Sequence, residues 1–299
     1  VLSACLVTVL IYWTGLRGPY LLDDPSNLDA IAVWLDNKLD LQTVLFERGA
    51  GILGRPLSMA TFVFNAWVGG YTPFSLKMGN LLIHLLCGIV LFAFLQRLLK
   101  LDTRLSHRAK AIAATVAAIW LLHPLHASTV LYVVQRMAQL STLLILLGLL
   151  VYLWARERLQ NSSPFVPTAT ILIGLPLMTF LAFLAKENGI LLPLLCAVLE
   201  IAYFTPSNGQ NRPRVARIFL YGYIALPCIA ALIGFLLKPG WIVGGYVGRD
   251  FTLGERLLSQ GRALCDYIGK ILLPNPPQMG VYTDDFMAST SLFSPHSTF

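Results

Sequence analysis

Long apolar stretches alternate with short polar ones along the whole chain. Seven runs, at 1–16, 80–99, 111–125, 137–155, 165–185, 190–204 and 218–237, carry almost no charge. A bilayer core about 30 Å thick takes about 20 residues of helix, so each run predicts a transmembrane helix. The runs at 111–125 and 190–204 are short, and either extend into their flanks or thin the bilayer locally. The fold class this predicts is all-α, a polytopic integral membrane protein with about seven transmembrane helices. Two mixed stretches read differently. Within 27–46, Leu28, Ile31, Leu35, Leu39 and Val44 recur with acids between them, which predicts a helix lying along the membrane interface. The stretch 253–273 has a similar pattern and is expected to be interfacial or packed over helix ends. No repeat with a period of about 20–50 residues is visible.

Composition agrees with the pattern and excludes a soluble globule. Of the 299 residues, 56% are hydrophobic and only 12% charged, with a mean hydropathy of +0.68. Charge adds an orientation. With the N-terminus in the cytoplasm, the inner connections hold Arg97, Lys100, Arg104, Arg108 and Lys110, then Arg156 and Arg158, then Arg212, Arg214 and Arg217. Asp102, Glu157 and Glu200 are the acids there, so the whole formal excess of +7 falls on one side, as the positive-inside rule requires. That bias accounts for the pI of 9.3 without a basic groove, and nucleic acid is excluded as a partner. The cysteines lack metal-site spacing, and four of the five lie in apolar runs, as small packing residues do. The sequence opens on Val1 and stops at Phe299 without a closing span, so further sequence is expected at both ends. The organisation this gives is one transmembrane domain over 1–299, with a first outer loop at 17–79 and an outer tail at 238–299.

The candidate chemistry gathers on the outer side. In LLDDPSNLD, Asp23 and Asp24 follow the first apolar run. A carboxylate at the interface can act as a general base, with partial desolvation raising its pKa. The competing reading is a turn or helix cap before Pro25 and Ser26. In GRPLS, Arg55 pairs with the aspartates, binds phosphate bidentately, or is simply solvated. In HPLHASTVLYVVQR, Pro124 breaks the preceding span. His123 and His126 there either ligate a metal with Asp23 or Asp24, or hydrogen-bond near the headgroups. Arg136 precedes an uncharged span and must find an anion or snorkel. In LAKENG, Lys186 and Glu187 form a solvated hairpin, or place the lysine against a lipid phosphate. The second acid pair, in YTDDF, reads as a hydrated loop. Carboxylates and cations on one lipid-facing side suit sugar transfer from a lipid-linked phosphate: the base takes the acceptor proton and the cations stabilise the departing phosphate.

The order of these motifs resembles the GT-C superfamily of membrane glycosyltransferases. Within it, the order is most similar to the O-mannosyltransferase-like proteins that end in tetratricopeptide repeats, and to their bacterial relatives. The shared order is an Asp-Asp pair after the first span, R-P-L in the first outer loop, H-P with a downstream arginine, and L-A-K-E before a short span. The resemblance implies a helical enzyme of the bacterial cytoplasmic membrane and cell envelope, with its site on the extracytoplasmic side. It implies a polyprenyl-phosphate-linked sugar donor, a protein or glycan acceptor hydroxyl, and membrane lipid as a partner. Carried over, Asp23 or Asp24 is the base, and Arg136 and Lys186 contact the donor phosphate; the reading of the residues themselves adds Arg55 as a phosphate contact and His123, His126 and Glu187 as supporting groups. A divalent cofactor, Mg2+ or Mn2+, is left open. Two rival classes are a flippase or transporter of a lipid-linked sugar, which predicts internal repeats and midplane charges, and a non-catalytic scaffold, which predicts that neutralising Asp23 or Asp24 changes nothing.

Overall fold

A computed structural model describes residues 1–47, 54–161, 164–204, 212–237, 240, 250–280 and 286–295. The chain divides into two compact units, Val1–Ile224 and Ala225–Phe299. Helix dominates, and no strand occurs among the described residues beyond an isolated Ser291–Ser294 bridge. The first unit contains α1 (Leu2–Trp13), α2 (Asp24–Leu35), α3 (Pro56–Gly69), α4 (Pro73–Lys100), α5 (Ala109–Leu122), α6 (His126–Leu131) and α7 (Arg136–Asn161). It continues with α8 (Phe165–Ala169), which passes through a π turn into α9 (Leu175–Ala185), and ends with α10 (Leu192–Tyr203) and α11 (Arg214–Leu220). The second unit contains α12 (Leu226–Leu237) and α13 (Leu253–Leu272). The YTDDF acid pair, Asp284 and Asp285, lies outside the described residues.

Among the described residues four helices, against the seven spans expected, are long and apolar enough to cross a membrane: Pro73–Lys100, Val133–Leu159, Phe165–Ala185 and Arg214–Leu237. The other three expected runs form shorter helices, because the backbone is interrupted there. Helix α5 has 14 residues, about 21 Å at 1.5 Å per residue. It stops because His123, ahead of Pro124, takes an extended conformation with ψ 125°. The run at 190–204 splits into a 3-10 turn, Glu187–Leu191, and the 12-residue α10, whose first turn holds Pro193. The run at 1–16 yields the 12-residue α1 before a 3-10 turn at Gly15–Arg17. Conversely, α4 starts seven residues ahead of its predicted position, at Pro73, where the Thr72 hydroxyl caps the Ser75 amide at 3.2 Å.

Helices α4 and α7 run side by side in the same direction. Asn80 meets Arg136 at one end, Cys87 reaches the Gln139 carbonyl between, and Arg97 meets Glu157 at the other end. The main apolar core lies against α7, where Ile145, Leu149, Tyr152 and Leu153 meet Phe94, Leu175, Leu192 and Phe219. Its inner end closes on a buried ion pair. Arg156 Nε and Nη2 donate to Glu200 at 2.6 and 2.8 Å, and the Tyr152 hydroxyl adds a 2.7 Å bond to the same carboxylate. Charges that read as loop residues are thus pinned between helices, as ionisable groups in apolar surroundings must be. All five cysteines are free, with Cys87 and Cys196 buried.

In the second unit, the Thr252–Glu255 capping box starts α13. Its exposed apolar residues include Leu257, Leu264, Ile268 and Ile271, one helical face, as the mixed pattern predicted.

Candidate functional site

The loop after α1 carries its acids on a strained turn. Leu22 has φ +43°, a left-handed conformation uncommon outside glycine, and α2 begins two residues later. The two adjacent aspartates then diverge. Asp24 is fully buried. Its Oδ1 accepts from the Val134 amide at 2.8 Å, and its Oδ2 accepts from Leu21 and Val133 at 2.9 and 3.3 Å. Burial raises its pKa above the usual carboxylate range, while these amide bonds pull the other way. Asp24 therefore fastens the loop after α1 to the turn that leads into α7. Asp23 occupies the N-cap position but makes no capping bond, and its carboxylate is exposed. Of the pair, Asp23 is the exposed one.

Arg55 and Glu187 join the loop to the LAKE segment. Arg55 Nε and Nη2 bind Glu187 Oε1 and Oε2 at 3.1 and 3.0 Å, and Nη1 points at Met137 Sδ, 3.3 Å away. Arg55 itself has φ +45° at the start of α3, a second strained residue at the same site. Burial acts against the Glu187 carboxylate, but the Arg55 bonds outweigh it and hold its pKa below the usual range. Ser58 secures the same junction by donating to the Ala185 carbonyl at 2.9 Å. The turn is tight: a Cβ on Gly189 would overlap the Ala182 backbone. Lys186 is half-buried beside this pair and makes no hydrogen bond or ion pair among the described residues. Burial lowers its pKa first and the Arg55 charge adds to that, with Glu187 opposing. Asp24, through the Val133 and Val134 amides, and the Arg55–Glu187 pair, through Met137, thus both meet the start of α7, with Lys186 beside that pair.

Arg136 opens α7 beside that group, but its side chain is engaged by α3 and α4 instead. Arg136 is 1% exposed and donates four bonds to neutral acceptors. These run to Asn80 Oδ1 at 2.8 Å, the Thr61 carbonyl at 3.1 Å, Asn65 Oδ1 at 2.7 Å and the Leu76 carbonyl at 2.6 Å. The guanidinium also lies 4.3 Å over the Phe62 ring. Neither an anion nor the surface is its solution; it ties α3, α4 and α7 together. Gly79 is shaped to admit it, since a Cβ there would overlap Asn65 and Arg136.

His126 packs among aromatic rings, 4.5 Å from Trp120 and 5.0 Å from His84. His123 accepts the Leu125 amide on Nδ1 at 3.2 Å. Among the described residues no three His, Cys, Asp or Glu side chains are grouped to hold a metal, and both Asp24 oxygens are engaged by amides. The alternative of a His–Asp metal set is therefore not assembled among the described residues. Burial, followed by the neighbouring His84 and His123, lowers the His126 pKa to about 4. Because the folded-state value is depressed, the stability that neutral His126 contributes is complete above about pH 6.5 and is lost as pH falls toward about 4. Melting temperatures of wild type and His126→Gln at pH 7 and pH 5 are expected to show a smaller pH effect in the variant. An equal effect would remove His126 as the titrating group.

Lys77 also belongs to this end and was not singled out in the sequence. It is buried and donates to the Gly18 and Pro19 carbonyls at 2.9 and 2.7 Å, near Asp24. Its signal was present: Lys77, Asn80 and His84 are polar positions at helical spacing within an apolar span.

No protein-family model and no solved structure matches the chain. Among curated proteins it is similar to "Protein O-mannosyl-transferase TMTC1" of Mus musculus, at 29% identity over 161 residues, 53% of this chain and 16% of that one. It is similar to "Protein O-mannosyl-transferase TMTC3" of Mus musculus at 28% identity over 239 residues, 74% of this chain and 23% of that one. It is also similar to "Protein O-mannosyl-transferase TMTC4" of Homo sapiens at 32% identity over 155 residues, 49% of this chain and 20% of that one. The resemblance read from the motif order is borne out, and the chain spans between about a sixth and a quarter of the relatives it matches.

Proposed function

We propose that the chain is the catalytic part of a membrane glycosyltransferase that moves a sugar from a polyprenyl-phosphate-linked donor to an acceptor hydroxyl on the extracytoplasmic side. The observation that carries this reading is a half-buried cation, Lys186, without a hydrogen bond or ion pair among the described residues, held beside the Arg55–Glu187 pair, together with an exposed carboxylate, Asp23, next to the buried Asp24. The similarity to proteins named O-mannosyl-transferases supports it, and makes mannose and a protein hydroxyl the first donor sugar and acceptor to try. Positive-inside charge supports the sidedness.

In this reading Asp23 takes the proton from the acceptor hydroxyl. The acceptor oxygen bonds to the anomeric carbon as the bond from that carbon to the phosphate oxygen breaks. The phosphate leaves on its lipid with the bonding electron pair, and the Lys186 ammonium stabilises the charge that develops there. Arg55 is held by Glu187 and acts by fixing the Lys186 segment against the loop. Asp24 and Arg136 fix the scaffold beneath.

The test is transfer of radiolabelled mannose from polyprenyl-phosphate mannose to acceptor protein by the purified full chain in nanodiscs. Lys186→Gln is expected to raise the donor KM by about tenfold or more, from the loss of one charge-assisted contact, with acceptor KM unchanged. No transfer by wild type, with donor binding retained, would replace the enzyme by a lipid-linked-sugar transporter. No donor binding at all would favour a scaffold.

A further inference from the structure

At the far end of α4 and α7 from Asp23, a groove of about 770 Å³ opens between the two helices. Its walls follow helical spacing, with Ala93, Gln96, Arg97 and Lys100 on α4 facing Leu150, Val151, Trp154 and Glu157 on α7. The lining changes character along both helices. Ala93, Leu150 and Val151 make an apolar lower half, and one to two turns further on come Gln96, Arg97 and Lys100. Ala93 and Lys100 are separated by about 10 Å along the axis, which spans the step from acyl chain to headgroup.

The charge balance at this mouth is positive. Arg97 and Glu157 neutralise one another through a bidentate contact with a closest approach of 2.6 Å. Lys100 is exposed and has no hydrogen bond or ion pair among the described residues. Arg158 lies over the Trp154 ring at 4.7 Å, a second cation beside the lining. The acid nearest in sequence, Asp102, caps the Arg104 amide at 2.8 Å. An indole with a cation on its face is suited to the membrane–water boundary.

We infer that this groove is a binding site for an anionic glycerophospholipid, with an acyl chain between α4 and α7 and the headgroup phosphate held by Lys100 and Arg158. The observation favouring this occupant is charge complementarity on an apolar-to-basic gradient, at the end that positive-inside charge assigns to the cytoplasmic leaflet, where anionic lipids concentrate. The site is separate from the proposed transfer site and does not depend on it.

Native mass spectrometry of the purified full chain in neutral detergent, with equimolar phosphatidylglycerol and phosphatidylcholine, tests the inference. Wild type is expected to retain phosphatidylglycerol preferentially. The Lys100→Gln/Arg158→Gln variant is expected to lose that preference by about fivefold per cation removed, while Arg104→Gln/Arg108→Gln keeps it. Ala93→Phe, which fills the apolar half, is expected to reduce retention of both lipids. Millimolar inorganic phosphate should leave the preference intact, and its loss under phosphate would mean a simple anion site. Equal retention of both lipids by wild type, or an undiminished preference in Lys100→Gln/Arg158→Gln, would overturn the inference and leave the groove to another protein segment or a second copy.

Discussion

Asp23→Asn is expected to reduce sugar transfer by a factor of about 10²–10⁴, the usual contribution of a general base, without changing the melting temperature. Asp24→Asn is expected to do the opposite, lowering stability and reducing transfer only in proportion to the folded protein that remains. The difference follows from what each carboxylate touches. Asp23 is exposed, and its side chain makes no capping bond, so an amide in its place removes nothing from α2. Asp24 accepts three backbone N–H groups, and an amide nitrogen would face at least one of them donor to donor. Hydrogen bonds to a charged group contribute about 1.5–3 kcal/mol each. Losing one and leaving a buried amide unsatisfied is a large effect in a protein with a typical margin of about 5–15 kcal/mol. Transfer rates normalised to folded protein, measured beside melting curves for both variants, separate the two roles. Transfer retained by Asp23→Asn, and lost by a fully stable Asp24→Asn, would make Asp24 the base.

The helical class and the grouping of polar chemistry at one end were legible because both follow from local pattern. The span count was not, because it depends on where prolines and turns interrupt helices. The 3-10 turn ending at Leu191 and Pro193 in the first turn of α10 divide an apolar run that hydropathy alone joins. Helix α3 was also in view: Met59, Phe62, Val63 and Ala66 are buried at the spacing of one helical face. They lie in a stretch read only as outer loop. Within the motif segments, the contacts of each side chain were not legible. Two adjacent aspartates look equivalent in sequence, and only the fold shows Asp24 turned onto the Val133–Val134 amides while Asp23 faces out. The partner of Arg55 was sought among those aspartates, yet it is Glu187, 132 positions away. Such pairings are set by helix packing, which has no local signature.

Arg136→Ala is expected to cost about 3–5 kcal/mol of stability, the range for breaking a buried charged network, and to leave the donor KM of the surviving folded protein near wild type. Its guanidinium is inaccessible, with four donors committed to Asn65, Asn80 and two carbonyls. Removing it strands those acceptors and empties the space that Gly79 leaves beside it. Asn80 also holds the Val130, Tyr132 and Val133 carbonyls. The damage should therefore spread to the turn whose amides bind Asp24. A phosphate ligand would behave differently: the variant would fold normally and bind donor poorly. Thermal melts and donor titrations on Arg136→Ala and Lys186→Gln together make the comparison. A stable Arg136→Ala with a donor KM raised as far as that of Lys186→Gln would return the arginine to the phosphate site. An unstable Arg136→Ala beside a stable, donor-weakened Lys186→Gln would assign the arginine to the scaffold and the lysine to the substrate.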